Sequence, residues 1–91
     1  MNQFIIQCDI NREFLHQIDA LRPHHLNYIK SKDNVLYGGV MLDETDKYKG
    51  ICYVIKAGTL SDAESFVKED PYLPVYSKYE ITKFIQKIPN N

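Results

Sequence analysis

Two strand-length apolar runs stand in succession near the middle of the chain: VLYGGVML (residues 35–42) and GICYVIKA (residues 50–57). Only the polar stretch DETDKYK (43–49) separates them. This pair constrains the fold more than any other feature, because two such runs joined by a short polar link read as a hairpin. On each side of the hairpin lies a segment of helical period, and beyond each of those lies another strand-like run. The order is therefore β-α-β-β-α-β. That order is the split βαβ, which implies an α+β, ferredoxin-like fold: one four-stranded antiparallel sheet with both helices on one face.

The first strand is FIIQCDI (residues 4–10), where alternation puts Phe4, Ile6, Cys8 and Ile10 on one face. Asn11 then reads as a helix N-cap. From residue 13 to 30 the apolar positions Phe14, Ile18, Leu21, His25 and Tyr28 or Ile29 recur at spacings of three and four. Pro23 interrupts this pattern, since proline inside a helix costs about 3 kcal/mol through a lost hydrogen bond and a clash. The preferred reading is a short segment ending near Asp19, then a new helix with Pro23 in its first turn. A continuous, kinked helix is the alternative. SKDN (31–34) is a turn. The paired Gly38 and Gly39 within the second strand mark either a bulge or a close approach to the backbone. Thr59 or Ser61 caps a second helix over residues 62–69, with Ala63, Phe66 and Val67 inward. Pro71 ends it, and residues 75–86 form a last strand of mixed alternation.

Ninety-one residues make a single domain spanning 1–91. A net charge of −1 argues against nucleic-acid binding, which calls for a basic stripe. The apolar runs are too short to span a bilayer, and the opening MNQFIIQCDI lacks the basic start and apolar core of a signal peptide. Cys8 and Cys52 lie in strand-like runs without CxxC spacing. They read as buried free thiols, which fits a cytoplasmic location.

Both faces of the sheet are partly apolar. In the third strand Ile51, Tyr53 and Ile55 alternate with Cys52 and Val54, and in the first Ile5 lies opposite Phe4 and Ile6. The helices cover one face. The other needs a cover that a chain of this length does not supply, so a homodimer is expected.

Of the three histidines, His16 and His24 read as solvated positions, and His24 lies about 100° round the helix from His25. His25 falls on the apolar stripe. On spacing alone, such a histidine is more often a satisfied core residue than a catalyst. Asp70 sits in KEDPY at the end of the second helix, facing the negative end of the helix dipole. A turn-forming Asp-Pro explains it blandly. The sharper reading gives Asp70 a donor brought in by the fold. With two helices side by side on one sheet face, that donor is a histidine of the first helix. Asp70 would then fix the tautomer of His25 and leave the other nitrogen free as a general acid or base. No metal is expected: adjacent histidines diverge on a helix, and two ligands are too few for zinc.

Four stretches carry a resemblance to a known family: LRPHHLNYI (21–29), VLYGGVML (35–42), GICYVIKA (50–57) and DAESFVKEDPYLPVYSKYEITKF (62–84). Together they resemble the YCII family of small bacterial proteins, whose pattern is an Arg-x-x-His-Leu helix, a glycine-containing second strand and a helix ending in Asp-Pro-Tyr. The resemblance implies a dimeric α+β barrel built from ferredoxin-like protomers. It also implies His25 and Asp70 as a catalytic pair in a cleft that binds a small molecule, with Arg22 a candidate anion anchor and Tyr72 a candidate lining residue. The better-understood relatives act on small cyclic or chlorinated aromatic compounds, by dehydrochlorination or lactone isomerisation, without a cofactor. The expected activity is therefore lyase or isomerase chemistry, with a non-catalytic ligand-binding or partner-binding homodimer as the alternative. Family members often read Gly-Pro in the second strand, where this chain has Gly39-Val40.

Overall fold

The computed structural model describes residues 1–89; positions 90 and 91 of the expected domain lie outside the described residues. Strand β1 (Asn2–Ile10) leads through a 3-10 segment (Arg12–Gln17) into helix α1 (Ile18–Lys30). Strands β2 (Val35–Leu42) and β3 (Tyr48–Ala57) form the central hairpin. Helix α2 (Leu60–Lys68), a 3-10 turn (Leu73–Val75) and strand β4 (Tyr76–Phe84) complete the chain. All pairings are antiparallel, and the sheet order is β2-β3-β1-β4. This is the ferredoxin-like topology expected from the element order, with β1 and β3 at the centre. None of the described helices is long and apolar enough to cross a membrane.

The alternation of β1 decides where the core lies. Phe4, Ile6, Cys8 and Ile10 are buried on the helix side, next to Ile51, Tyr53 and Ile55 of β3. Ala63, Phe66 and Val67 of α2 pack down on them, as does Ile18 of α1. Thr59 caps α2 by accepting from the Asp62 amide (3.1 Å), so the helix starts two residues before the expected 62 and ends at Lys68. Asn11 caps the 3-10 segment through the Glu13 amide (3.1 Å). Asp43 organises the β2–β3 loop by accepting from the Thr45 hydroxyl, the Lys47 amide, Arg12 and the Thr45 amide. Those donors hold its carboxyl well below the usual carboxylate range.

Pro23 requires a correction. The helical region does break, but between Gln17 and Ile18, where 3-10 geometry passes into α geometry. Pro23 lies inside α1, in its second turn, rather than at the start of a new helix. The single hydrogen bond that Pro23 removes would have ended on the Asp19 carbonyl. Asp19 is exposed, so water can serve that group and the loss is tolerated.

The face of the sheet away from the helices follows from the register, because directly paired residues share a face. Thr82, Ile5, Val54 and Tyr37 form one row across all four strands. Glu80, Gln7 and Cys52 form the next, and Lys78 and Asp9 the one beyond. Tyr37 is 63% exposed. Val54, in the middle of the first row, is buried.

Candidate functional site

His25 projects from the middle of α1 toward the sheet and is buried. Its Nδ1 lies 2.8 Å from Oδ1 of Asp70. Asp70 follows the end of α2, in the turn that Pro71 forces. Its main chain accepts from the Leu73 amide (2.9 Å), and its Oδ1 accepts from the Tyr72 amide (2.9 Å). The bland and the sharp readings of Asp70 therefore both hold: one carboxyl shapes the Asp-Pro turn and also meets the helix-one histidine. Its second oxygen accepts from the Tyr76 hydroxyl at 2.6 Å. Three donors offset both the burial of Asp70 and its place at the negative end of α2.

The hydrogen bonds also fix the imidazole. Asp70 is acceptor-only as a carboxylate, so Nδ1 of His25 carries the proton and donates. Nε2 is left as the acceptor, and the group 2.9 Å from it is the Tyr53 hydroxyl. Tyr72 stacks flat on the imidazole, with ring centroids 3.9 Å apart and planes 9° from parallel. No buried side-chain nitrogen or oxygen among the described residues lacks a partner.

The surroundings bear the mark of burial and of the Asp70 charge. Burial pushes the Cys8 thiol up to about 12, with Asp70 adding to the effect. Burial, then Asp70, raises the Tyr53 and Tyr76 phenols far above their ordinary range. Burial also raises Tyr72, while the nearby Arg22 guanidinium opposes the shift.

Over this cluster opens a cleft of about 290 Å³ between α1 and the β2–β3 hairpin. Its walls are mostly apolar: Ile18, Leu26 and Ile29 from α1, with Val40, Tyr48 and Ile51 from the hairpin. His25, Tyr53, Tyr72 and Arg22 also line it. The volume falls at the low end of the range for small-molecule sites. Arg22 lies one turn before His25 on the same helix face. Its Nη1 holds Asp19 at 2.9 Å in a solvent-exposed pair, which ties it down only weakly. His16 and His24 are exposed and take no part. Among the described residues, no group of three His, Cys, Asp or Glu side chains converges as a metal site would require.

Tyr53 and Tyr76 belong to this site but were not singled out as site residues from the sequence. A hydroxyl was available as a signal for Tyr53: a tyrosine on the buried face of a strand needs a partner for its O–H. Gly38 pairs with Tyr53 across the hairpin. A Cβ there would come within 2.6 Å of the Tyr53 ring, so Gly38 marks a close approach and not a bulge. Tyr76 was hidden by an irregularity. The β1–β4 register slips by one between Asp9 and Ile10, pairing Ile10 with Tyr76 instead of Ser77. That slip turns Tyr76 onto the helix side.

A ferredoxin-like α+β fold with a buried histidine–carboxylate pair at the wall of an apolar cleft defines a class of small cleft-bearing domains. Residues 2–85 match the YCII-related domain, and the chain belongs to that family. No curated protein sequence matches it significantly. Among solved structures, it is similar to 5-chloro-2-hydroxyhydroquinone dehydrochlorinase (TftG) from Burkholderia phenoliruptrix AC1100 in complex with 2,5-dihydroxybenzoquinone. The TM-score is 0.81 at 20% identity, over 92% of this chain and 94% of that one. An antibiotic biosynthesis monooxygenase shares the fold at a TM-score of 0.56 and 10% identity, over 94% and 98% of the two chains. These likenesses establish the fold, which is that of dimeric α+β barrel proteins.

Proposed function

We propose that this protein is a cofactor-independent enzyme that moves a proton at carbon in a small organic molecule, as a lyase or isomerase. One observation carries the reading: the His25–Asp70 hydrogen bond of 2.8 Å lies at the wall of an apolar cleft of small-molecule size. Asp70 orients the imidazole and faces the charge that His25 takes up on accepting a proton. Arg22, at the cleft and only weakly held by Asp19, is placed to take an anionic or phenolate group of the substrate. Tyr72 holds the imidazole by stacking and offers a flat wall. The dehydrochlorination named for the TftG structure is chemistry of this kind and suggests chlorinated hydroquinones as first compounds to try.

The test is turnover of 5-chloro-2-hydroxyhydroquinone, read as chloride release, together with deuterium uptake from D2O into a set of small cyclic phenols and lactones. The wild type is expected to turn over at least one compound, and His25→Ala to lose about 10²-fold or more. Equal rates in the two proteins, including no reaction in either, would overturn the reading. That outcome would favour a non-catalytic binding domain. One feature favours this second reading: both imidazole nitrogens already have internal partners.

We further propose that a second copy of the chain packs on the sheet face away from the helices, around the exposed Tyr37. The apolar row Ile5, Val54 and Tyr37 lies beside rows of mixed charge, Lys78 with Asp9 and Glu80, which is a self-complementary pattern for a two-fold interface. Light scattering is expected to give twice the chain mass. Tyr37→Lys, a change at an exposed position, should return the monomer mass with the circular dichroism spectrum intact. A wild-type monomer at about 100 μM would rule the interface out.

A further inference from the structure

We infer that Tyr53 is the proton-transfer group that the cleft meets, with His25 behind it. The inference rests on the proton-transfer reading above and goes further, because it moves the reacting atom from an imidazole nitrogen to a phenol oxygen.

The argument starts from an accounting of hydrogen bonds. Nδ1 of His25 is committed to Asp70. Asp70 already accepts from His25, the Tyr72 amide and Tyr76, and it does not line the cleft. Nε2, the only basic lone pair left on the ring, receives the Tyr53 hydroxyl at 2.9 Å. A neutral imidazole with both nitrogens engaged has nothing free to offer a ligand. A phenol that donates its own proton still has oxygen lone pairs free to accept another. Tyr53 lines the same cleft as His25.

The position of Tyr53 is built rather than incidental. The ring lies across β2 at Gly38, where any Cβ would collide with it. On its other side it meets the edge of Phe66, with centroids 5.5 Å apart and planes at 76°. Backbone below and a packed aromatic beside it leave the hydroxyl aimed at His25.

The step balances without any added reagent. The substrate C–H bond breaks and its electron pair stays on the substrate, either delocalised or expelling a leaving group. The proton bonds to the Tyr53 oxygen as the original Tyr53 proton passes to Nε2. Tyr53 is a neutral phenol before and after. The positive charge rests on His25, facing Asp70, and the negative charge on the substrate or, in an elimination, on the departing anion. In an isomerisation the return step runs the same path backward; in an elimination the extra proton leaves His25 through the Tyr53 oxygen to water once the anion has departed. A hydroxyl suits this place because it donates to neutral imidazole and accepts from the imidazolium, so no buried polar atom loses its partner in either state. The raised Tyr53 phenol agrees with a relay that never becomes a phenolate.

Tyr53→Phe keeps the ring packing and removes only the hydroxyl. The first readout needs no substrate: the ¹⁵N resonance of His25 Nε2 at fixed pH. In the variant it is expected to move toward the position of an unbonded pyridine-type nitrogen, while Tyr76→Phe leaves it near the wild-type value. An unmoved Nε2 resonance in Tyr53→Phe, with the fold intact by circular dichroism, would overturn the inference whatever any compound does. The second readout is the turnover assay above. The relay expects Tyr53→Phe to lose about 10²-fold or more, in step with His25→Ala. If Tyr53→Phe retains the turnover that His25→Ala loses, the imidazole reacts directly: the relay fails and the His25–Asp70 reading stands. If His25→Ala loses nothing, the enzyme reading itself fails, while the ¹⁵N result still decides whether Tyr53 caps the imidazole.

Discussion

Replacing Asp70 with alanine is expected to destabilise the fold by about 3–5 kcal/mol. The magnitude follows from what is left behind. Three donors now satisfied by one carboxyl would face a buried gap: His25 Nδ1–H, the Tyr72 amide and the Tyr76 hydroxyl. Each unsatisfied buried group costs about 1–3 kcal/mol, and the turn that Asp70 shapes loses its side-chain bond. Against a total stability of about 5–15 kcal/mol for a domain of ordinary size, this removes a large share. Asp70→Asn separates structure from chemistry. Its amide oxygen can still accept from His25 and Tyr72, and its amide nitrogen can donate to the Tyr76 oxygen. The cost should fall to about 1–2 kcal/mol. The imidazolium, however, loses its negative partner, so turnover should fall as it does for His25→Ala. Urea unfolding of the three proteins checks the order. A cost below about 1 kcal/mol for Asp70→Ala would show that the cluster contributes little to folding.

The second large effect lies at alkaline pH. Cys8, Tyr53 and Tyr76 are held protonated in the fold, chiefly by burial and next by the Asp70 charge. Below pH 9 these groups carry the same protons folded and unfolded, and their contribution to stability is fully present. As pH rises, the unfolded chain releases its protons first, the thiol from about 9 and the phenols from about 10. The folded chain keeps the Cys8 proton to about 12 and the phenol protons beyond. The folded state then binds more protons than the unfolded one, so stability must fall with rising pH. Each group contributes a slope of about 1.4 kcal/mol per pH unit, and the three together about 4. A domain of this size should therefore unfold cooperatively between about pH 11 and 12. Urea midpoints at pH 8, 10 and 11, with reductant present, check this, as does the ultraviolet signal of ionised tyrosine. That signal should appear in one step with unfolding. The double variant Tyr53→Phe, Tyr76→Phe should lose the contributions of those two phenols and keep those of the thiol and of Tyr28 and Tyr72, whose phenols burial also raises. A midpoint that stays flat to pH 11.5 would mean that these side chains reach water far more readily than their burial implies.

The architecture was legible because strand and helix periods differ and the chain keeps to them. Phe4, Ile6, Cys8 and Ile10 alternate without a break, and Ala63, Phe66 and Val67 recur at helical spacing, so the element order and the buried faces could be read directly. Pro23 was misread for a physical reason: a proline deletes one specific hydrogen bond, and only the exposure of Asp19 tells whether water can replace it. His25 drew attention as a polar residue on an apolar stripe, and Asp70 as an acid at the wrong end of a helix. Their meeting across forty-five positions needed the packing of α1 against the turn after α2. Tyr53 and Tyr76 escaped notice because tyrosine is an ordinary strand residue. For Tyr76 the strand parity was also broken by a register slip that leaves no local sequence mark.

The sheet order has a consequence during synthesis. β1 is made first and sits at the centre, yet one of its two partners, β4, is made last. At about 5–20 residues per second, β1 waits about 4 s or longer after leaving the ribosome before Phe84 exists to pair with Gln3. Through that interval Ile5 and Ile6 lie on a strand with at least one bare edge, beside other nascent chains carrying the same bare edge. Fast closure of the β1–β3 pairing, which needs only residues up to Ala57, then leaves β4 as the strand whose arrival decides between a finished domain and a mispaired one.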